Sequence, residues 1–227
     1  MATRKKSLGY TTTWIWLSIF NMSFAAALKS AYAKPVVHLL CMVPLGTMVW
    51  AAFNDGLGAN PVEKLTFGTG DWTLRFLLIT LSMSPLRQWT GQASFIRFRR
   101  MFGLYTFFYG CCHFSIWFVA DHSLNLAGMI EDILDRPYIT LGFSALVLML
   151  PLAITSNQAM IRRLGKKWKS LHQLVYLIIS LGILHFVWLV KADYLEPTIY
   201  AIIALILLVH RVGPMKRFSV KSFLVAR

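Results

Sequence analysis

Charge is scarce in this 227-residue chain, and acid is scarcer still. Charged residues make up 14%, and only nine are Asp or Glu. A soluble domain carries about 25% charged and about 45–50% apolar residues, whereas the apolar share here is 57%. That balance excludes a disordered chain, a coiled coil and an ordinary soluble enzyme, and predicts an all-α polytopic membrane bundle. Cysteine is also scarce, at three residues. There is no CxxC and no Cys/His spacing suited to zinc, so Cys41, Cys111 and Cys112 read as small apolar filler. No P-loop, GxGxxG element or nucleophile elbow is present. No carboxylate falls within an apolar span, which disfavours a proton pump or ion-coupled transporter.

What is abundant is apolar sequence in blocks of membrane-spanning length. A transmembrane helix needs about 20 mostly apolar residues. Six blocks qualify: Pro35–Phe53, Trp72–Leu86, Met101–Ala120, Tyr138–Thr155, Leu171–Val190 and Pro197–Val212. Pro35, Pro137 and Pro197 mark helix starts, where a missing N–H costs nothing. Pro44 and Pro151 lie inside spans. A seventh stretch, Trp14–Leu28, is shorter and carries Asn21.

The net charge of +14 would suggest nucleic acid in a soluble chain. Its distribution argues for topology instead. With six spans and a cytoplasmic N-terminus, only Lys64, Arg136 and Lys191 of the 23 basic residues fall in outer loops, with Arg75 inside a span near its outer end. All nine acids lie on the outer side. The positive-inside rule therefore predicts six spans with both termini cytoplasmic. A spanning Trp14–Leu28 would invert every later loop, so it is expected to lie at the interface, with a cleaved signal as the alternative. The expected organisation is an N-terminal extension over 1–34, a six-helix domain over 35–213 and a basic cytoplasmic tail over 214–227. Basic loops face inner-leaflet lipid, nucleic acid is not expected, and the acidic outer face suits a partner with a basic patch.

Intramembrane histidines are functional candidates by default, since an unpaired ring in hydrocarbon is costly. At about 1.5 Å per residue, His113 lies roughly 18 Å and His185 roughly 21 Å above the cytoplasmic ends of two spans running the same way. Their shared depth suits the two axial ligands of one heme, which favours electron transfer over oxygen chemistry. The alternative is two rings bonded across helices without metal. Gly110 and Gly182 each stand three residues before a histidine, on the same helix face, and leave room for a macrocycle edge. His38 and His172 lie near cytoplasmic span ends, where they are either ligands of an inner heme or simply interfacial. On an ideal helix His172 and His185 point about 140° apart. His122 and His210 are expected to be solvated.

Several runs carry a family resemblance. They are Gly56-Leu57-Gly58-Ala59-Asn60-Pro61, Arg99-Arg100-Met101-Phe102-Gly103-Leu104 followed by His113, and Arg136-Pro137-Tyr138-Ile139-Thr140-Leu141-Gly142. Thr155-Ser156-Asn157-Gln158-Ala159-Met160, Leu164-Gly165-Lys166 with Trp168, Leu171-His172-Gln173-Leu174-Val175-Tyr176-Leu177, and His185 with Trp188 complete them. Over residues 35–213 the chain resembles the MsrQ family, heme-binding membrane subunits of periplasmic methionine sulfoxide reductase systems in the bacterial inner membrane. That family sits among the ferric-reductase-like transmembrane domains, relatives of the NADPH oxidases.

The resemblance implies heme b held by histidines matching His113, His172 and His185, and an FMN cofactor. It implies electrons from the quinone pool or a cytosolic flavin reductase. It also implies a periplasmic molybdopterin-containing methionine sulfoxide reductase as acceptor, repairing oxidised proteins. The NADPH oxidases carry a flavin and nicotinamide domain after the last span. Here the reductant is expected to be a separate molecule. Those relatives also carry a second histidine low on the third span; here Arg99 and Arg100 stand there, leaving His38 as the nearest inner ligand by depth. Arginine forks suit phosphate oxygens, so Arg99 and Arg100, with Gln158, are candidate flavin or quinone contacts.

The expected function is a transmembrane electron conduit whose catalytic centre lies on a partner protein. A self-sufficient ferric or quinone reductase is the alternative. A non-redox transporter or assembly factor is the third reading, which the depth-matched histidines argue against.

Overall fold

The computed structural model describes residues 26–190 and 192–212. The expected interfacial helix over Trp14–Leu28, apart from 26–28, and the basic tail over 214–227 lie outside the described residues, as does Lys191. Every regular element among the described residues is helical. We label them α1 (Ala33–Phe53), α2 (Pro61–Thr90), α3 (Phe95–Ile116), α4 (Leu126–Asp135), α5 (Pro137–Ile154), α6 (Gln158–Leu164), α7 (Lys166–Leu171), α8 (Leu174–Leu189) and α9 (Leu195–Val212). A π-helical turn, Trp117–Asp121, ends α3.

Among the described residues, four stretches are long and apolar enough to cross a membrane: Ala33–Phe53, Phe95–Asp121, Pro137–Ile154 and Lys166–Leu189. The other two expected spans coincide with α2 and α9. Large apolar side chains cover the outside, among them Leu39, Trp50, Phe53, Ile154, Leu205 and Val209. Such a surface suits lipid, not water.

α2 is much longer than the expected Trp72–Leu86. Its start is set by capping: Asn60 Oδ1 accepts the Glu63 N–H at 3.2 Å, Asn60 Nδ2 donates to the Glu63 carboxylate at 2.8 Å, and Pro61 occupies the first turn. A satisfied cap of this kind carries a helix through polar sequence. Asp71 and Arg75 consequently sit within α2 and pair at 3.4 Å, while Arg75 Nε donates to the Tyr200 hydroxyl at 2.8 Å and the guanidinium lies over Trp72. Gly91, at φ 71°, closes the helix in the left-handed region that glycine adopts freely.

Aromatic rings join α1, α2 and α3. Phe76 packs against Phe102, Tyr105 and Tyr109. Tyr109 is wholly buried. Pro44 interrupts α1, and the Tyr109 hydroxyl inserts beside it: it accepts the Leu45 N–H at 3.1 Å and donates to the Cys41 carbonyl at 2.8 Å. A side chain from α3 thus closes a gap in the ladder of α1. The second core joins α2, α5, α8 and α9 through Leu77, Leu81, Ala145, Ile178, Ile179 and Ala204. At the C-terminal end of α9 Arg211 donates to the Leu81 carbonyl at 3.2 Å and to Ser84 Oγ at 2.9 Å.

The fifth expected span is broken at His172–Gln173, between α7 and α8, so ideal helical phase does not relate His172 to His185. Neither His122 nor His210 is solvated as expected. The His122 ring packs edge-on to Trp117 at 4.5 Å, and its Nε2 lies 3.3 Å from the Asp132 carboxylate. The His210 ring meets Trp89 at 5.5 Å, and both its nitrogens are buried without a hydrogen-bond partner among the described residues.

Candidate functional site

Between α2, α3, α5 and α8 lies a cavity of about 450 Å³, within the range of sites that hold organic cofactors, about 300–1,000 Å³. His113 enters it from α3 and His185 from α8. Their ring centres stand 6.2 Å apart with an 80° angle between planes.

Each ring is aimed in the same way. His113 Nδ1 donates to the Thr66 carbonyl oxygen at 2.8 Å, and His185 Nδ1 donates to the Tyr138 carbonyl oxygen at 2.7 Å. A carbonyl only accepts, so Nδ1 carries the proton, and the neutral ring presents the Nε2 lone pair. Metal-ligating histidines are held by this bond at the other nitrogen.

The carbonyls are themselves helical, on α2 and α5. Sideways approach to a helical carbonyl is possible where the residue four positions on lacks a side chain. Gly70 follows Thr66 at that spacing and Gly142 follows Tyr138. A Cβ on Gly70 would stand 3.1 Å from the His113 ring, and one on Gly142 would stand 2.9 Å from His185 Nδ1. Thr66, Gly70, Gly110 and His113 recur at one constant offset as Tyr138, Gly142, Gly182 and His185. Both histidines lie 47 residues after the carbonyl they bind. The cavity is therefore walled by two equivalent helix pairs, α2 with α3 and α5 with α8.

Gly110 and Gly182 line the cavity, yet the glycines that touch the rings are Gly70 and Gly142. The sequence reading missed these two, together with both carbonyls. Their sequence signal is a shared offset: Gly142 follows Gly70 by the same number of residues as His185 follows His113.

The site suits heme. Among the described residues no cluster of three or more His, Cys, Asp or Glu side chains can hold a bare metal ion. Two facing imidazoles suit an ion that brings its own equatorial ligands, as a porphyrin does. With metal–imidazole bonds of about 2 Å and ring centres about 1 Å further, one ion between two rings needs a separation of about 6 Å, matching that observed.

The other expected site residues lie elsewhere. His38, on α1, is exposed and bonds through Nδ1 to the Tyr105 hydroxyl at 3.0 Å. His172 stacks on Trp168 at 3.9 Å; its Nδ1 donates to the Trp168 carbonyl at 3.1 Å, and its Nε2 faces Ser156 Oγ at 3.5 Å. His38 and His172 are not brought together. Arg99 is close enough to His172 and Arg211 to act on both electrostatically. Arg100 and Gln158 are exposed, Gln158 at the start of α6 behind its Asn157 cap.

Comparison with known proteins agrees with this architecture. A family model described as "Ferric reductase like transmembrane component" matches residues 69–183, a range that includes His113 and stops just before His185. The chain is 50% identical over 186 residues to a protein of Xanthomonas euvesicatoria pv. vesicatoria named protein-methionine-sulfoxide reductase heme-binding subunit MsrQ, covering 79% of this chain and 85% of that one. A protein of the same name from Ralstonia nicotianae is 51% identical over 179 residues, covering 78% and 82%. Another, from Bordetella pertussis, is 47% identical over 182 residues, covering 79% and 88%. No solved structure matches the chain.

Proposed function

From the premise that this chain belongs to the MsrQ family and carries a ferric-reductase-like transmembrane component, we propose that it is a heme-binding electron-transfer subunit of a methionine sulfoxide reductase system. The observation that carries this reading is the His113–His185 pair, each Nδ1 tied to a backbone carbonyl across a glycine. Heme b supplies a one-electron couple when bound. His113 and His185 would hold the heme iron through their free ring nitrogens, an arrangement that suits electron transfer, and the apolar cavity walls would keep water from it.

The proposed topology is six spans in the bacterial inner membrane, with α2 and α9 joining the four apolar stretches and both termini cytoplasmic. It rests on the sidedness of charge. The acidic outer face docks a periplasmic molybdopterin-containing methionine sulfoxide reductase. On the inner side the quinone pool or a cytosolic flavin reductase is the donor. A site in the outer half of a roughly 30 Å core needs an inner carrier. His172 is the proposed residue for it: Nδ1 is held by a carbonyl as in the cavity pair, Arg99 lies near, and His38 is a further candidate ligand. FMN is proposed as a second cofactor, with Arg99, Arg100 and Gln158 as its contacts.

The test is a reduced-minus-oxidised absorption spectrum with heme quantified per chain. The expected result is low-spin b-type bands in the native protein and their loss in His113→Ala and in His185→Ala. Full heme in both variants overturns the ligand assignment. Turnover of ferric or quinone substrates without any soluble partner would favour the self-sufficient reductase.

A further inference from the structure

The cavity is polar at one end only. Its inner end is closed by Leu77, Ala145, Met149 and Ile178. Its outer mouth carries Glu63 and Asp71 on the α2 wall, Asp121 in the π-helical turn that ends α3, and Arg136 on the α5 wall. Among the described residues that line it, Arg136 is the only lysine or arginine.

Arg136 is placed by its neighbours. Its Nε bonds Asp132 at 3.1 Å, and Nη1 donates to the Tyr138 hydroxyl at 3.4 Å. Nη2 has no partner among the described residues, and the side chain is 55% exposed at the mouth. Arg136 caps α5 just before Pro137. It therefore stands two residues before Tyr138, whose carbonyl holds His185. The α2 acids are already engaged: Glu63 accepts from Asn60 at 2.8 Å, and Asp71 pairs with Arg75 at 3.4 Å.

We propose that Arg136 is the anchor for the propionate carboxylates of the bound porphyrin, and that it fixes the propionate edge toward the outer mouth on the α5 wall. This rests on the heme reading of the same cavity. A porphyrin with free propionates is amphiphilic. Its carboxylates are costly against the apolar inner end, are repelled by Glu63 and Asp71, and meet a guanidinium edge only at Arg136. Arginine matches carboxylate geometry with paired donors. Asp132 positions the guanidinium by holding Nε, and the Tyr138 hydroxyl holds Nη1, so the free edge is turned to the mouth.

The experiment titrates the heme-depleted full-length protein in nanodiscs with ferric protoporphyrin and, separately, with its dimethyl ester, following the low-spin band. The ester removes the carboxylate charges and leaves the iron and ring unchanged. The native protein is expected to bind the acid about tenfold more tightly than the ester, as for a charge-assisted hydrogen bond at an open mouth. Arg136→Gln is expected to bind both forms alike, with the same low-spin band. Asp132→Asn loosens the hold on Nε and leaves the arginine charge, so it is expected to weaken the preference without abolishing it. Comparing two ligands within each variant cancels general effects on folding. Should Arg136→Gln bind neither form, Arg136→Lys decides: a retained preference supports the anchor and a lost one overturns it. An acid-to-ester ratio in Arg136→Gln equal to the native ratio, or no preference in the native protein, also overturns it. Failure of the underlying heme reading looks different: His113→Ala and His185→Ala would then bind both forms as well as the native protein.

Discussion

Replacing Gly142 with alanine separates heme binding from folding. The added Cβ would stand 2.9 Å from His185 Nδ1 and 3.0 Å from Cε1. Ordinary contacts between such atoms fall at about 3.5–4.0 Å, so the ring must retreat by roughly 0.5–1 Å. α5 cannot yield instead, because Ala145, one turn on, is buried against the α8 residues Ile178 and Ile179. The retreat stretches the 2.7 Å bond to the Tyr138 carbonyl and carries Nε2 out of line. Metal ligation tolerates about 0.2 Å, and loss of a histidine's supporting hydrogen bond typically costs about 10–100-fold in metal affinity. That is about 1.4–2.7 kcal/mol. The fold itself gains, since alanine in a helix interior is favoured over glycine by roughly 0.5–1 kcal/mol. The expected outcome is a Gly142→Ala protein that inserts and melts no lower than the native heme-free chain but holds substoichiometric heme. Heme per chain and thermal unfolding of the heme-free protein measure the two effects. Full heme content with an unchanged low-spin spectrum would refute the reasoning.

Gly70→Ala should act on His113 in the same direction but more weakly, because its Cβ would stand at 3.1 Å; equal heme loss in both variants, measured as heme per chain, would argue against steric displacement. Tyr109→Phe should cost about 1–3 kcal/mol by stranding the Leu45 N–H and the Cys41 carbonyl beside Pro44; a lowered melting temperature with native heme content is expected. His172→Ala should leave the bands that depend on His113 and His185 in place and slow their reduction by a cytoplasmic-side donor; an unchanged stopped-flow rate with quinol would remove His172 from the inner carrier.

Much of this was legible because membrane sequence is written in few signals. Apolar blocks located helices, four stretches of them among the described residues long and apolar enough to cross a membrane, and His113 and His185, paired by depth, are two rings that meet. What lay hidden was held by backbone or by polar sequence. α2 begins at Pro61, well before its apolar block, because the Asn60–Glu63 cap stabilises a turn that hydropathy reads as loop. α4 was missed for the same reason: Asn125 caps it by accepting from Ala127 and Gly128. The solvated reading of His122 failed because α4 supplies Asp132 beside it.

The carbonyl acceptors were invisible for a deeper reason. Every residue has a carbonyl, so its identity carries no information; only the residue that uncovers it does. Thr66 and Tyr138 share no chemistry, and nothing in either side chain marks the role. Gly70 and Gly142 do mark it, since each removes the one side chain that would cover the acceptor. Gly110 and Gly182 were noticed because they precede histidines, and they led to the cavity wall. Following the same offset from His113 to His185 through the rest of the chain would have paired Gly70 with Gly142 as well. A glycine whose counterpart recurs at the spacing of two candidate ligands is thus a stronger signal than a glycine near either ligand alone. It also explains why substitution at Gly142 should be felt by the metal before it is felt by the fold.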